Sequence, residues 1–499
     1  MPKRPQRARI LDETGRLKSL PAGEDQFISQ GTGHGMLVLG LGPEPGLLAE
    51  LLPETGVSWL EAPQFTQQMG KQWRAAIPSG WRELTPQEAM DQLASGERGL
   101  LYTPAPRLFP SFWSPVLAAA SLPSPPEETS REVWMPARED GLLVREMADA
   151  FTQAGYEVRL LDPAALPRRL PALLRERAPE LFFSINFLGL DSLGETHHLL
   201  RRAGTSVAAW CVDNPFHLLS SLRASFWRDL LLCVTDDWFA SPLLDHGAGQ
   251  VLHLPLAAWP NMFENLDSAP NQGVDGRLAF VGRSSFPDKK GFFAGVRLPL
   301  DDWTAAQEKI ARGNRPDFGW WAEKLNTGQL WPGRQARNPG YGAEESGRAW
   351  RAACLRAAAG ETPLTVFGDT GWRDVLPEDT DFRGPVDYYG PLAAIYAQAQ
   401  AVLGCTSPLL PSGLTQRHFD VWAAGGLLLS DATPGLSLFP DELTREISFA
   451  HPGRIGGMFQ RFEHRPVERA DLIRAWRELI LAEHTYAHRA ATVLDCLGG

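Results

Sequence analysis

Arginine, lysine and carboxylate side chains recur in this sequence where apolar runs stop abruptly. In "FVGRSSFPDKKGFF" a strand-like run ends at Gly282 and is followed by Arg283 and Lys290. Cations at a strand-to-helix turn suit a diphosphate, since a guanidinium binds two oxygens at once and an ammonium adds a point charge. The simpler reading is a solvated loop with incidental lysines. In "SGLTQRHFDVWAAGGLLLSD" the pattern predicts a short helix from about Leu414 to Ala424, with Arg417, Asp420 and Ala424 on one face. There Asp420 is placed to accept from a ribose diol and Arg417 to face phosphates, while Ala423, Ala424, Gly425 and Gly426 let a ligand approach. A surface pair between Arg417 and Asp420, worth at most about 0.5 kcal/mol, would have the same spacing. "FSINFLGLD" and "WCVDNPFH" end strands in Asn186, Asp213, Asn214 and His217. Ligands of open α/β sheets lie outside such carboxyl ends, although Asp213 before Pro215 also suits a turn or helix cap.

Three stretches alternate short apolar runs with helical patterns, the signature of βα units and parallel sheets. The first begins at "GHGMLVLGLGPEPGLLAELL" and fades near Pro123, and "SLPSPPEETS" reads as a linker. The second runs from "REVWMPARED" to about Pro260. The third opens at "RLAFVG", is interrupted by a Trp-rich helical insert over about 301–360, and resumes at "LTVFGD", "AVLGC" and "GGLLLSD". Gly282 and Gly368 close two of its strands. The expected domains are therefore 1–128, 129–262 and 275–499, with a hinge near 262–276. The closing stretch "RADLIRAWRELILAEHTYAHRAATVLDCL" has apolar residues at helical spacing.

Composition narrows the function. A net charge of −11 over 499 residues, without a basic stripe, argues against non-specific nucleic-acid binding. Five scattered cysteines without metal spacing indicate free thiols and a reducing compartment, and no run approaches the roughly 20 apolar residues that cross a bilayer. The expected location is cytoplasmic. Asp379 and Asp381 form an Asp-x-Asp in what reads as a polar loop, so no metal site is expected there.

"VLGLGPEPG", with Gly40, Gly42 and Gly46 ahead of a helix and Glu61 ending the next strand, resembles the cofactor loop and ribose-binding acid of S-adenosylmethionine-dependent methyltransferases. Pro43 and Pro45 remove backbone donors from that loop. A more extended resemblance covers roughly 131–450. "FVGRSSFPDKKGF", "LTVFGDTGW", "FRGPVDYYGPLAAIYAQAQAVLGC" and "RHFDVWAAGGLLLSD" occur in the order seen in the nucleotide-binding domain of GT-B glycosyltransferases. The spore-maturation-protein-like (CgeB-like) branch, which also carries strands like "PELFFSINF" and "AAWCVDNP", is the most similar.

That resemblance implies an α/β fold of GT-B architecture: two facing Rossmann-like domains, here preceded by a smaller Rossmann-like accessory domain. It implies a nucleoside-diphosphate sugar donor held without a metal, with Arg283 and Lys290 on the diphosphate. Such enzymes carry a Glu-x7-Glu pair. Asp420 occupies the second position, but the first falls at Ser412. Val386 and Tyr388 in "GPVDYY" match the loop near the nucleotide base, and Gly282, Gly368, Gly425, Asn186 and Asn214 complete the donor-side set. The chemistry implied is retaining transfer to a protein or glycan acceptor; an inverting reaction would need a base, for which Asp213 is placed. The N-terminal module resembles those ahead of glycosyltransferases acting on proteins such as flagellin. Two alternatives remain at this stage: a methyltransferase working through Gly40, Gly42 and Glu61, and a catalytically inactive GT-B scaffold.

Overall fold

The structure is a computed structural model that describes residues 7–498 apart from 31, 32, 34, 139, 140 and 265. Its three main sheets are built largely from parallel strands. The runs LAFV (Leu278–Val281), LTVF (Leu364–Phe367), AVLG (Ala401–Gly404) and LLSD (Leu428–Asp431) are apolar almost throughout. That composition follows from their position, since a parallel strand covered by helices on both faces has no solvent side to make polar.

These strands form the third sheet, completed by Asp381–Arg383 and Ser448–Phe449. Numbered along the chain, its spatial order is 3-2-1-4-5-6. The order reverses between Leu278–Val281 and Ala401–Gly404, and the crevice beyond their carboxyl ends is the favoured ligand position of such a sheet. The second sheet contains Thr129–Pro136, Glu157–Leu161, Ala178–Ile185, Ser206–Cys211, Leu231–Val234 and Gln250–His253 in the order 2-1-3-4-5-6. Its strand ends face the same cleft. The smaller N-terminal sheet has five strands, the first of them, Phe27–Gln30, antiparallel to its neighbour Arg98–Tyr102. That module is docked on the second domain: helix Pro110–Ser121 packs on helix Glu195–Arg202, and Ser114 Oγ donates to Leu193 O at 2.8 Å. The architecture is the expected α/β one.

The expected insert contains three helices, Leu300–Ala311, Phe318–Lys324 and the 25-residue Arg337–Glu361. Most of its apolar side chains are buried in the second domain rather than the third. Ala306, Phe318, Trp321, Leu330, Trp331, Ala336 and Ala343 join the core around Phe216, Trp227 and Phe239. The last helix, roughly 37 Å long by its rise per residue, then crosses over. Its later residues Trp350, Cys354, Leu355 and Ala358 lie in the core of the third domain. The C-terminal helix Tyr486–Gly498 makes the opposite crossing, packing on helix Val144–Gln153 of the second domain through Tyr486, Ala490 and Val493. Arg489 donates to the carbonyls of Pro255 (2.9 Å) and Leu256 (3.1 Å).

The long helix has glycine where it meets the second domain and its own insert. A Cβ on Gly340 would lie 1.9 Å from His217 Nε2, and one on Gly342 would lie 2.3 Å from the ring of the fully buried Trp321. Helix propensity alone predicts that Gly342→Ala stabilises by about 1 kcal/mol. The contact predicts the reverse, a net loss of about 1–3 kcal/mol from overpacking. Urea unfolding of the variant measures which term wins.

Candidate functional site

The cleft between the second and third sheets encloses about 520 Å³, within the range of small-molecule sites. On the third-domain side it is bounded by the loop after Val281, the loop after Gly404 and the start of helix Arg417–Ala423, the elements that meet at the point where the strand order reverses. On the second-domain side it is bounded by the turn after Cys211.

Six of the residues singled out by sequence line this cleft: Asp213, Asn214, His217, Gly282, Arg283 and Arg417. Arg283 is exposed and has no side-chain hydrogen bond or ion pair among the described residues. Its loop is nevertheless fixed, because Asp369 accepts from Ser284 N at 2.8 Å and from Ser284 Oγ at 2.6 Å. The Arg417 guanidinium is anchored on Val281 O, from Nε at 3.1 Å and Nη2 at 2.8 Å. Asp213 accepts from Asn186 Nδ2 at 2.8 Å, while Asn186 Oδ1 accepts from Val212 N at 2.9 Å. Asn186 takes a positive φ of 52°, a conformation Asn tolerates better than most residues. Asn186 thus orients Asp213 rather than lining the cleft. Asp213 stays exposed at the cleft mouth, and partial desolvation by the surrounding protein raises its pKa, the Asn186 hydrogen bond working against that. Asn214 caps the next helix through Phe216 N (3.0 Å) and reaches across the cleft to Leu409 O (3.0 Å). His217 is buried among Phe286, Phe292, Phe293 and Phe318, and burial holds its pKa down to about 3, so it is neutral.

The remaining candidates lie elsewhere. Lys290 is exposed on the short helix Lys289–Phe292, away from the cleft lining, and its neighbour Lys289 is paired with Glu345. Gly368 faces the backbone: a Cβ there would lie 2.4 Å from Gly282 O, so it serves the close approach of two strand ends. Gly425, with φ 79°, ends helix Arg417–Ala423 in the left-handed conformation that favours glycine and has open space beside it. Val386 packs against the third-domain core. Asp420 is 1% exposed; its oxygens accept from Gln416 Nε2 at 2.8 Å and Tyr388 Oη at 3.0 Å. Burial raises its pKa to about 8, hydrogen bonds from Gln416 and Tyr388 opposing. A ribose diol reaching this carboxyl would have to take the place of the Tyr388 hydroxyl.

Two expectations about other carboxylates are refined. Asp381 lies in strand Asp381–Arg383 rather than a loop, and it is paired with Arg383 at 2.8 Å and accepts from Thr365 Oγ1 at 2.9 Å. Glu61, in the N-terminal module, is 7% exposed and turned inward. It accepts from Leu41 N at 2.8 Å and Ala62 N at 2.9 Å, fastening the glycine loop with the oxygens a ribose would need.

Sequence reading missed Glu344 and Arg351, both in the cleft wall and both supplied by helix Arg337–Glu361. Glu344 accepts from Phe286 N at 2.6 Å, bracing the loop that carries Arg283, and burial raises its pKa. The cleft therefore presents three guanidinium groups against two carboxyls whose ionisation is disfavoured, an arrangement suited to an anion.

Residues 348–495 match the family model described as glycosyl transferase-like. No curated protein matches the chain. Among solved structures, the chain is similar to HepE of Anabaena in complex with UDP-glucose (11% identity, 74% of this chain and 99% of that one, TM-score 0.44). It is also similar to T4 phage BGT in complex with UDP and Mn2+ (8% identity, 73% and 99%, TM-score 0.41). A third is α,α-trehalose 6-phosphate synthase from Burkholderia multivorans (12% identity, 93% and 96%, TM-score 0.35). The family match begins within the helix that carries Arg351 and ends in the C-terminal helix that returns to the second domain, so it takes in Arg351, the loop after Gly404 and Arg417 of the cleft wall but not Arg283.

Proposed function

We propose that this chain is a glycosyltransferase of the GT-B type that transfers a sugar from a nucleoside-diphosphate donor, bound in the cleft, to a protein or glycan acceptor. The observation that carries the reading is the cluster of arginines at the strand-order reversal of the domain whose sequence matches a glycosyl transferase-like family. Arg283, free to turn toward a ligand, and Arg417, fixed on the strand end, are placed to meet a diphosphate. As the bond to the sugar breaks, negative charge collects on the departing diphosphate. Preorganised guanidinium groups stabilise that charge without a metal being called on. Lys290, exposed on the short helix Lys289–Phe292 outside the cleft lining, is the second cation the family pattern supplies and would have to swing in to reach the ligand. Asp420 and Tyr388 form the ribose end of the proposed site and Val386 its base end. The acceptor enters from the second domain, where Asp213, oriented by Asn186, faces the cleft. The setting is cytoplasmic, with a retained anomeric centre the outcome the resemblance favours and flagellin-like proteins the acceptor class its N-terminal module suggests.

Ligand binding tests the donor half. A nucleoside diphosphate at about a hundredfold its dissociation constant adds about 2.7 kcal/mol to stability. One of UDP, GDP or TDP is expected to raise the melting temperature, and Arg283→Ala, which removes no hydrogen bond or ion pair among the described residues, is expected to abolish that rise while leaving the ligand-free melting temperature unchanged. No response to any of the three in the native protein would remove the donor assignment.

The role of Asp213 is tied to stereochemistry. If the product anomer is inverted, Asp213→Asn must lower kcat by about 100-fold or more, the usual contribution of a positioned base. If it is retained, the same variant must keep kcat within about tenfold. Product NMR together with the variant's rate checks that the two agree.

Asp420 provides a pH test. Its pKa of about 8 in the fold, against 3.8 for an ordinary aspartate, means that the unfolded chain ionises this group first. Stability associated with it is therefore full below about pH 4, declines as pH rises, and levels off above about pH 8. Asp420→Asn is expected to flatten that decline, gaining melting temperature over the native protein at pH 8 more than at pH 5. It is also expected to weaken nucleotide binding if the diol displaces Tyr388.

A further inference from the structure

A guanidinium taken out of water without a counter-ion is strongly disfavoured. Arg351 is in that position. It is 9% exposed, on the buried face of helix Arg337–Glu361 between Gly347 and the core residues Cys354 and Leu355. No carboxylate oxygen lies within 4.0 Å of it among the described residues. Among the described residues its one hydrogen bond is from Nη2 to Ser284 O at 3.5 Å, the outer limit for such a contact, and its Nε has no partner there. The two acids whose charge acts on it are engaged elsewhere. Glu344 holds Phe286 N, and Asp431 is shared among Arg315 (3.2 Å), Trp350 Nε1 (2.8 Å) and Thr406 N (3.0 Å).

The same side chain lines the cleft beside Arg283, Arg417, Cys405 and Ser407. A buried, under-satisfied cation facing a cavity is complementary to an anion brought in by a ligand. We propose that Arg351 is a donor-binding residue, the inner anchor of the nucleotide-sugar diphosphate. It would be supplied by the helix that joins the two domains and not by the loop after the first strand. This rests on the glycosyltransferase reading for the identity of the ligand, though not for the presence of an anion site. Arg283 reaches the diphosphate from the exposed rim and Arg351 from the floor, so the two are expected to grip different phosphates. Recognition of two phosphates rather than one follows from that separation of depth.

The test uses the full-length protein and two variants, Arg351→Met, which keeps the aliphatic stem and removes the charge, and Arg351→Lys. Isothermal titration is carried out with UDP, GDP and TDP, the matching monophosphate and nucleoside, and inorganic pyrophosphate; melting temperatures are recorded without ligand. Arg351→Met is expected to weaken the diphosphate that binds the native protein by about 30-fold or more, the scale of a charge-assisted hydrogen bond lost. Arg351→Lys should lose less, and nucleoside affinity should not change. Ligand-free Arg351→Met is expected to melt no lower than the native protein, because it sheds a buried charge and only a marginal contact. Diphosphate affinity within about threefold of native in Arg351→Met, or a lowered ligand-free melting temperature in both variants, would overturn the proposal and make Arg351 structural. If the native protein binds pyrophosphate through Arg351 but no nucleoside diphosphate, the anion site stands and the donor reading falls.

Discussion

The structure depends on one helix having two sets of neighbours. Helix Arg337–Glu361 begins in the core of the second domain and ends in the core of the third. Its first turns lie so close to His217 and Trp321 that two positions admit only glycine. Further along it contributes Glu344 and Arg351 to the cleft wall. A helix is stiff over this length, so the separation of the two sheets and the position of both side chains are set by the same backbone. Arg337 strengthens the connection, donating to Ser220 Oγ at 3.1 Å on one side and Phe292 O at 2.9 Å on the other.

Electrostatics in the cleft follow from that geometry. Dense packing excludes water from around Arg351, His217 and Glu344, and each responds according to its chemistry. The histidine stays neutral, the carboxyl holds its proton to higher pH, and the guanidinium, with the highest pKa of any side chain, keeps its charge. The outcome is a cleft that is positive without a dense display of surface lysines. It also explains why a chain with a net charge of −11 can still offer an anion site: the formal total says nothing about where the charges lie.

Much of this was legible in the sequence, and the exceptions have physical causes. The strands of the third domain could be read directly because burial on both faces leaves mostly apolar residues. Arg283 and Asp213 could be read because they break such runs at their carboxyl ends, and Arg417 because it opens a short helix that ends in small residues. The helix expected from Leu414 begins only at Arg417, since the residues before it are held across the domain boundary: Ser412 N donates to Asp236 at 2.9 Å and Gln416 Nε2 to Ala257 O at 2.7 Å. Propensity cannot report such partners. Arg351 was hidden for another reason. In "AWRAACLRAAAG" it follows Trp350 and precedes Cys354 and Leu355 by three and four residues, a spacing that puts it on the buried stripe. Arginine on a helix is ordinarily read as a solvent residue, and only the register against buried neighbours distinguishes this one. The contact between Asp420 and Tyr388 spans 32 residues and depends on a loop conformation without periodicity.

The adjacent tyrosines of that loop connect the two halves of the cleft. Tyr388 donates to Asp420 within the third domain, whereas Tyr389 donates to both oxygens of Glu146 at 2.9 Å, across on the second. Burial raises the pKa of Glu146 as it does that of Asp420, and Arg145 lies over the Tyr389 ring at 4.4 Å. Because the two side chains leave neighbouring positions on one backbone, this short loop is seated on both domains at once. Further ties between the domains lie outside that loop: Arg489 to Pro255 and Leu256, Asn214 to Leu409 O, Ser412 N to Asp236, Gln416 to Ala257 O, and the long helix itself. The interface thus combines a continuous helical brace with single hydrogen bonds spread along the boundary, and together they hold the strand ends of the two sheets on opposite sides of one cleft.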